Sequence, residues 1–276
     1  MVFDEQDTVD ERRVDASADP VEVDLIEATD VEIAAATHRG NVRKNNEDQF
    51  AVVRRTRSGE VLATSLAEEA LKPGQTQQSW LLVVADGVGG NVSGEVASAT
   101  AIQAIVNLGP HLSSWVMQPS LELQEDHASR VEIYAQAIQR ELQHQAEADP
   151  GLRGMATTIT AVYFYGSEAV VVNVGDSRCY LARENKIYQV TRDHTLARDL
   201  EDAGVPPNAI RRYQHVLTRC FNTRSESVTF DIFRLHLHPN DQLLLCSDGL
   251  SDMVTDDELN RILARDMPNK DRCEQL

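Results

Sequence analysis

The sequence contains few cysteines and no long apolar run, and each shortage excludes a class of protein. Its four cysteines form no CxxC pair and have no zinc-site spacing, so no zinc site is predicted. Cys179 and Cys246 lie in apolar runs and are expected to be buried free thiols. No apolar stretch reaches the roughly 18 residues of a membrane span, and the N-terminus lacks the basic-then-apolar pattern of a secretory signal. We therefore expect a cytoplasmic protein that does not bind a membrane.

Basic residues are scarce as well. The chain has 26 lysines and arginines against 44 acids, and its net charge is −18. The first 32 residues hold twelve acids and two arginines, so this stretch carries −10 of that charge. A chain this acidic repels phosphate backbones, which excludes nucleic acid as an expected partner. Residues 1–30 lack apolar periodicity and are predicted to form an acidic, disordered leader. The chain length of 276 residues suits one sizeable domain or two small ones.

Periodicity and turn residues predict a mixed fold. Residues 64–78 are predicted to be a loop. Ser129 and Thr255 each stand three residues before a glutamate and predict capping boxes. Because the strands follow one another as hairpins, packed antiparallel sheets with helices outside them are predicted. The predicted strands are 31–37, 49–54, 79–85, 157–165, 169–174, 178–183, 187–191, 229–236 and 242–246, and the predicted helices are 93–108, 129–145, 195–203, 255–263 and 271–276.

Four acidic positions share one setting, in which an apolar strand is followed by a carboxylate in a glycine-rich or polar turn. Converging acids repel one another unless cations lie among them. Oxygen ligands with no histidine in any of these turns favour Mg²⁺ or Mn²⁺ over zinc. Each Asp-Gly alone is ordinary turn chemistry, but the joint pattern predicts a site for divalent ions. The acids are Glu47-Asp48 in RKNNEDQF, Asp86 in VVADGVGG, Asp176 in VVNVGDSRCY and Asp248 in LLLCSDGLSD.

The ordered set RKNNED, ADGVGG, GMATT, VGDSR, TRDHT and CSDGLSD resembles the metal-dependent protein phosphatases of the protein phosphatase 2C family, in their bacterial form. The resemblance runs from about Val31 to the C-terminal end, which implies a catalytic domain at 31–276. It implies an α+β fold of four layers, α-β-β-α, in which two antiparallel sheets are flanked by helices. The implied activity is hydrolysis of phosphoserine and phosphothreonine in proteins. The expected partners are phosphoproteins of signal transduction, in opposition to serine/threonine kinases, and the expected state is a monomer.

The resemblance also implies a role for each matching acid. Asp86 is expected to bridge two Mn²⁺ or Mg²⁺ ions, and the backbone carbonyl of Gly87 to bind one of them. Glu47 serves the same ion as Gly87, while Asp48 supports the site through ordered water. Asp248 serves the other ion.

A weaker third ion site and a phosphate-binding residue are implied in the same way. Asp176, Asp248 and Asp252 match the third metal site of the bacterial members. Arg43 matches the arginine that binds the substrate phosphate, for which its guanidinium fork is suited. Two ions lower the pKa of a bridging water, and the resulting hydroxide is expected to attack phosphorus directly, without a covalent enzyme intermediate.

Residues beside these acids are given supporting roles. Thr158 and Ser177 are expected to hold strands and turns in place, and His194 to be structural or close to the substrate rather than a metal ligand. Residues 196–217 match the variable flap of bacterial members. Its Arg211-Arg212 pair either helps to select substrates or belongs to a solvated loop.

The pattern has one important departure, and two other functions stay open. Members of the family end with an Asp-Asn motif and a further strand, and no such motif occurs before Leu276. We therefore expect a fragment or a degraded copy, with weaker metal binding and lower stability. One alternative is a catalytically impaired domain that binds phosphoproteins or regulators. The other is a different two-metal hydrolase such as a phosphodiesterase, although the negative charge disfavours nucleic-acid substrates.

Overall fold

The structure is a computed structural model that describes residues 31–41, 43–58, 77–88, 93–116 and 124–276. Within these residues the chain forms ten strands and seven α-helices. The strands are β1 (Asp48–Arg57), β2 (Gln77–Val88), β3 (Ala156–Thr157), β4 (Ile159–Tyr165), β5 (Glu168–Val174), β6 (Arg178–Arg183), β7 (Lys186–Gln189), β8 (Phe221–Asn222), β9 (Asp231–His236) and β10 (Gln242–Cys246). The helices are α1 (Ser93–Val116), α2 (Gln124–Ala148), α3 (Leu196–Asp202), α4 (Pro207–Ile210), α5 (Asp248–Ser251), α6 (Asp256–Leu263) and α7 (Asn269–Gln275), and short 3-10 turns lie at Pro150–Leu152 and Arg211–Tyr213.

The strands form two antiparallel sheets. The larger sheet has seven strands in the order β8-β3-β2-β4-β5-β9, with β1 also paired to β2. The smaller sheet has the order β10-β6-β7. Buried and half-buried side chains alternate along most of β4, whose sequence is ITAVYFY. This alternation shows that the two faces of the strand have different surroundings.

Three clusters of buried side chains divide the molecule into four layers. The first lies between the α1–α2 pair and the larger sheet, and includes Val83 of β2 and Leu142 of α2. The second lies between the two sheets, and includes Val171 of β5 and Cys179 of β6. The third joins the smaller sheet to Leu259 of α6. The predicted α+β sandwich of layers α-β-β-α is therefore confirmed.

Several local predictions are confirmed by backbone geometry. Glu184 and Asn185 link β6 to β7 with positive φ angles of 52° and 63°, as a tight two-residue hairpin turn requires. Thr255 and Glu258 form the predicted capping box of α6. The predicted helix 195–203 corresponds to α3, where the Thr195 hydroxyl accepts the Arg198 amide hydrogen at 3.2 Å and caps the helix.

Other local predictions are wrong. Residues 31–37 form no strand; instead, Glu32 accepts hydrogen bonds from the backbone and side-chain nitrogens of Asn269, at 2.9 and 3.0 Å. The capping box at Ser129 is absent because α2 begins earlier and contains this residue. The predicted helix 93–108 continues past Pro110 to Val116. The predicted strand 157–165 is interrupted at Thr158, whose backbone amide donates to the carbonyl of Asp86 near the end of β2.

Two predictions fall largely outside the described residues. These are the acidic leader at 1–30 and the loop at 64–78, of which only Gln77 and Gln78 are described, as the start of β2. Among the described residues, no helix combines the length and apolarity that crossing a membrane demands. All four cysteines are free thiols, and Cys179 and Cys246 are buried, as predicted.

Candidate metal centre

Asp86 lies near the end of β2, on the face of the larger sheet that meets the smaller one. Leu82 packs into the layer between the sheets, whereas Val83 packs toward the helices. Strand alternation places Asp86 on the same face as Leu82, and the residue is only 7% exposed. Its partner across the antiparallel ladder is Asp48 of β1. Two acids that come from separate sequence motifs are thus neighbours in the sheet.

The backbone of Asp86 is fixed by two buried threonines. The amide of Thr158 donates to the Asp86 carbonyl at 2.9 Å, and the Asp86 amide donates to the Thr158 hydroxyl at 3.0 Å. Thr157 donates its hydroxyl to the same carbonyl at 2.9 Å. The Thr158 hydroxyl also bonds the Ser177 hydroxyl at 2.8 Å. These hydroxyls hold the backbone in place, which agrees with the supporting role predicted for Thr158 and Ser177.

A second contact ties Asp48 to the turn that follows β10. The hydroxyl of Ser247 donates to a carboxylate oxygen of Asp48 at 2.6 Å. Burial raises the pKa of Asp48, the Ser247 hydrogen bond lowers it, and the charge of Asp248 raises it. Asp248, the first residue of α5, is therefore close enough to Asp48 for their charges to interact.

The carboxylates of this centre perturb one another strongly. Burial, followed by the charges of Asp48 and Asp248, raises the pKa of Asp86 to about 9. Burial and the charge of Asp248 raise the pKa of Asp176 to about 7. Four acids from β1, β2, the β5–β6 turn and the start of α5 therefore converge. They cannot all be ionised at neutral pH unless cations offset their charge, and their oxygen donors fit hard divalent ions such as Mg²⁺ and Mn²⁺.

Glu47 joins this centre through its backbone and through an arginine. Its carbonyl accepts the Gly87 amide hydrogen at 3.1 Å. A Cβ at Gly87 would lie 2.8 Å from that carbonyl oxygen and closer still to the carbonyl of Gly94, so only glycine fits. The Glu47 carboxylate pairs with Arg43 at 3.1 Å. The Arg43 side chain is 62% exposed and that of Glu47 12%, which leaves the guanidinium accessible from solvent.

The turn that carries Asp176 rests on a buried histidine. Gly175 adopts a φ of 110°, and its amide donates to Nδ1 of His194 at 3.1 Å. The His194 amide donates back to the Gly175 carbonyl at 2.9 Å. Nε2 of His194 lies 3.0 Å from one carboxylate oxygen of Asp231, and Arg219 donates to the other oxygen at 2.8 Å. Both ring nitrogens of His194 are thus occupied, in agreement with its predicted structural role.

The structure also places near the centre a residue that the sequence reasoning missed. His215 lies just after the 3-10 turn at Arg211–Tyr213, and its Nδ1 is 3.6 Å from a carboxylate oxygen of Asp252. Among the described residues, His215, Asp248 and Asp252 form the one group of three whose potential metal-binding atoms all lie within 4.8 Å of one another. No motif around His215 indicates this approach, because it depends on how the flap packs.

Of the residues predicted for the site, Asp48, Asp86, Asp176 and Asp248 are brought together. Asp252 lies beside them. Burial raises its pKa, and Asp248 is close enough for its charge to raise that pKa further. Glu47 and Gly87 adjoin the cluster through their shared hydrogen bond, and Arg43 through its pair with Glu47.

Comparisons with known proteins agree with this arrangement. The sequence model described as Protein phosphatase 2C matches residues 65–274. The chain is 30% identical over 235 residues to the serine/threonine phosphatase stp of Listeria innocua, covering 82% of this chain and 81% of that protein. The structure of the S. agalactiae serine/threonine phosphatase is similar with a TM-score of 0.65 and 25% identity, over 86% of this chain and 87% of that one. The catalytic domain of the phosphatase PstP, in complex with two manganese ions, has a TM-score of 0.57 and 29% identity, over 82% and 90% of the two chains.

Proposed function

This chain belongs to the protein phosphatase 2C family and is a metal-dependent protein serine/threonine phosphatase, and we propose that its catalytic centre is the acidic cluster around Asp86. The observation that carries the proposal is the convergence of Asp48, Asp86, Asp176 and Asp248. Burial and neighbouring charges raise the pKa of Asp86 there to about 9. A partly buried cluster of carboxylates is costly to the fold unless it binds cations.

The proposed resident ions are two Mn²⁺ or Mg²⁺, with a weaker third. The two manganese ions bound by the PstP catalytic domain support the number two. When bound, such ions lower the pKa of water and offset the negative charge of a phosphoryl group. The residues that we propose hold them are Asp86 for both main ions, Glu47 and the Gly87 carbonyl for one, Asp248 for the other, Asp48 in support, and Asp176, Asp248 and Asp252 for the third.

The protein's own contribution is to keep these carboxylates in place. Thr157 and Thr158 bond the backbone of Asp86 from the adjacent strands, and Ser247 holds the carboxylate of Asp48. Rigid placement matters because an acid that moves by about 1 Å loses its hold on an ion or misdirects the attacking water. The hydroxyls of Thr157, Thr158 and Ser177 are engaged with backbone or with each other, so none of them is proposed as a nucleophile.

Arg43 is the proposed contact for the substrate phosphate. Its exposed guanidinium pairs with Glu47, whose carbonyl bonds the Gly87 amide next to Asp86, and its planar fork can donate two parallel hydrogen bonds to phosphate oxygens. Arg211 and Arg212 lie exposed in the flap, where the Arg212 guanidinium lies 4.7 Å from the centre of the Tyr213 ring. We propose that these two arginines contact acidic or phosphorylated residues of the substrate protein.

The proposed substrates are proteins phosphorylated on serine or threonine by kinases that this enzyme opposes. Serine/threonine phosphatases are the named relatives of this chain, which supports that class. A cytoplasmic location is proposed as well. Its support is that all four cysteines are free thiols, which is usual in a reducing compartment.

Dephosphorylation of a phosphothreonine peptide with and without Mn²⁺ tests the proposal. The wild-type chain should release phosphate only with the ion, and Asp86→Asn should lower kcat/KM by about a hundredfold or more. Glu147→Gln, an exposed acid of α2, is the matched control and should keep full activity. Equal activity of the Asp86 and Glu147 variants would overturn the assignment. Faster hydrolysis of bis-p-nitrophenyl phosphate than of the peptide would indicate a phosphodiesterase instead.

A further inference from the structure

His215 and Asp252 approach each other without forming a hydrogen bond. Nδ1 of His215 lies 3.6 Å from the Asp252 carboxylate oxygen, beyond the range of a side-chain hydrogen bond. The third member of the group, Asp248, begins α5, and the Asp252 amide donates to its carbonyl at 2.8 Å. A spacing of four residues puts the two aspartates on one side of this helical turn.

The separation of these atoms fits ligands of one cation. With bonds of about 2.0–2.2 Å, neighbouring ligands of an octahedral ion lie about 3 Å apart and opposite ligands about 4.3 Å apart. The potential ligand atoms of His215, Asp248 and Asp252 all lie within 4.8 Å of one another, a separation from which side-chain movement can bring them onto one ion. The side chains of His215 and Asp252 are 67% and 47% exposed, which leaves an open side for water ligands.

The backbone around His215 is built into the fold. The Val216 amide donates to the Tyr213 carbonyl at 3.1 Å, and the Val216 carbonyl accepts the Leu196 amide hydrogen at 2.8 Å. Leu217 then pairs with Thr195 as an isolated β-bridge. The hydrogen bonds of Val216 and the β-bridge of Leu217 therefore fix the backbone next to His215, whose imidazole lies near the end of α5.

We propose that His215 is an imidazole ligand of the divalent cation that Asp248 and Asp252 bind, so that the flap contributes directly to the metal centre. The proposal rests on the acidic cluster being the metal centre, as argued above. A nitrogen ligand changes the preference of this position. Imidazole binds transition ions such as Mn²⁺ more readily than Mg²⁺, which favours a shell of oxygen alone. Binding through His215 would also make the position of the flap segment that contains Arg211 and Arg212 depend on whether that ion is bound.

A simple ion pair is the competing explanation of the same contact. If His215 were protonated, its attraction to the exposed carboxylate of Asp252 would contribute little to stability. In that case Asp248 would lie nearby only as a neighbour of Asp252 on α5, and an imidazole with protons on both nitrogens could not bind a cation. The two explanations differ in whether a bound ion has a nitrogen ligand.

Pulsed electron paramagnetic resonance on the Mn²⁺-loaded full chain distinguishes them. We expect ¹⁴N modulation from a manganese ion in the wild-type chain, its loss in His215→Gln, and its retention in His144→Gln, an exposed histidine of α2. In competition with excess Mg²⁺, His215→Gln should retain one Mn²⁺ fewer per chain than the wild type, and His144→Gln the same number.

The possible results separate this inference from the function on which it rests. Mn²⁺ bound without ¹⁴N modulation in the wild type, or modulation that persists in His215→Gln, would overturn the role of His215 and leave the carboxylate centre intact. A chain that binds no Mn²⁺ at all would overturn both. Peptide dephosphorylation with Mn²⁺ in the wild-type chain reports on the proposed function independently of either outcome.

Discussion

Asp48 and Asp86 are direct partners in the antiparallel β1–β2 ladder, so a half-buried and a buried carboxylate face each other on one side of a sheet. Like charges at opposed positions destabilise a pair of strands. A shift of one residue in this pairing would turn Ala51 and Val53 of β1, which pack against the core, to the opposite face of the sheet. The core of the protein thus imposes the register that brings the two acids together, and cations are what make that register favourable at neutral pH.

Ser247→Ala should loosen the metal centre without removing any acid. The substitution deletes the 2.6 Å hydrogen bond to Asp48, which fixes the carboxylate relative to the start of α5. We expect Mn²⁺ affinity to fall about tenfold and the free energy of unfolding to fall by about 1 kcal/mol. Calorimetric titration with Mn²⁺ and urea denaturation measure these effects. Ser251→Ala, at the other end of α5, is the control, and an equal loss of affinity in both variants would contradict the role of Ser247.

The ion-free protein should lose stability as the pH rises. The pKa of Asp86 is raised from 3.8 to about 9, so between these values the folded chain holds a proton that the unfolded chain has released. Its contribution to stability is complete below about pH 3.8 and is lost as the pH rises toward 9. The slope should be at most about 1.4 kcal/mol per pH unit for this group. Urea denaturation in a chelator, from pH 5 to 8, measures it.

Two comparisons show whether Asp86 causes that slope. Asp86→Asn, which carries no titratable proton, should flatten the pH dependence relative to the wild type, whereas Glu147→Gln should leave it unchanged. Saturating Mn²⁺ should reduce the slope or reverse it, because the ion replaces the proton among the carboxylates. An ion-free wild type whose stability does not fall between pH 5 and 8 more steeply than that of Asp86→Asn would contradict the buried, proton-holding state of this residue.

The parts of the fold that follow from local pattern were predictable from the sequence. Turn residues at Ser167-Glu168 and Glu184-Asn185 indicated the β4–β5 and β6–β7 hairpins, and the capping box at Thr255 indicated the start of α6. The acids of the centre were also predictable, because each follows an apolar strand at a turn. That Asp86 and Asp248 lie close together in space could be expected only because several such turns occur in one chain and because their sequences together resemble those of one family.

What escaped prediction depends on contacts between distant residues. Thr158 interrupts a strand because it bonds both backbone groups of Asp86, which the run of β-forming residues around it does not indicate. Residues 31–37 have the composition of a strand, but Glu32 bonds to Asn269 rather than to a strand partner. His215 reaches the aspartates only because the flap backbone packs against the start of α3, and an isolated histidine in a loop does not reveal such packing.

His194→Ala should destabilise the fold and weaken its response to acid. Nδ1 accepts the Gly175 amide hydrogen, so the neutral ring carries its proton on Nε2, toward Asp231. Burial lowers the pKa of His194 below 6.5, and a second proton, on Nδ1, would in addition displace the Gly175 amide hydrogen bond. The unfolded chain takes up that proton first, and the histidine's contribution to stability is lost as the pH falls below about 6.5.

Loss of the ring should therefore cost about 2–4 kcal/mol at pH 7.5, since it leaves the Gly175 amide and Asp231 without their buried partner. The difference between wild type and variant should shrink between pH 6.5 and 5.5. Urea denaturation in a chelator at pH 7.5, 6.5 and 5.5 measures both effects. His144→Ala on the exposed side of α2 should change neither, and a gap between wild type and His194→Ala that widens in acid would contradict the neutral tautomer.

The two Asp-Gly motifs of the centre should respond oppositely to alanine, although the sequence makes them look alike. A Cβ at Gly87 would lie 2.8 Å from the Glu47 carbonyl oxygen and nearer to that of Gly94, so β1, β2 and α1 must separate to admit it. We expect Gly87→Ala to cost about 1–3 kcal/mol or more of unfolding free energy and to abolish tight Mn²⁺ binding, because Asp48 and Asp86 would no longer be held in register.

The second motif has room for a side chain. A Cβ at Gly249 would meet only the Ser247 hydroxyl, at an ordinary 3.6 Å, and Gly249 lies within α5. Gly249→Ala should leave stability unchanged or raise it by up to about 1 kcal/mol, since alanine restricts the unfolded chain. Thermal denaturation and Mn²⁺ titration of the two variants give the comparison. Equal stability of both would mean that the carbonyls around Gly87 can move apart at little cost and that close packing does not position the acids.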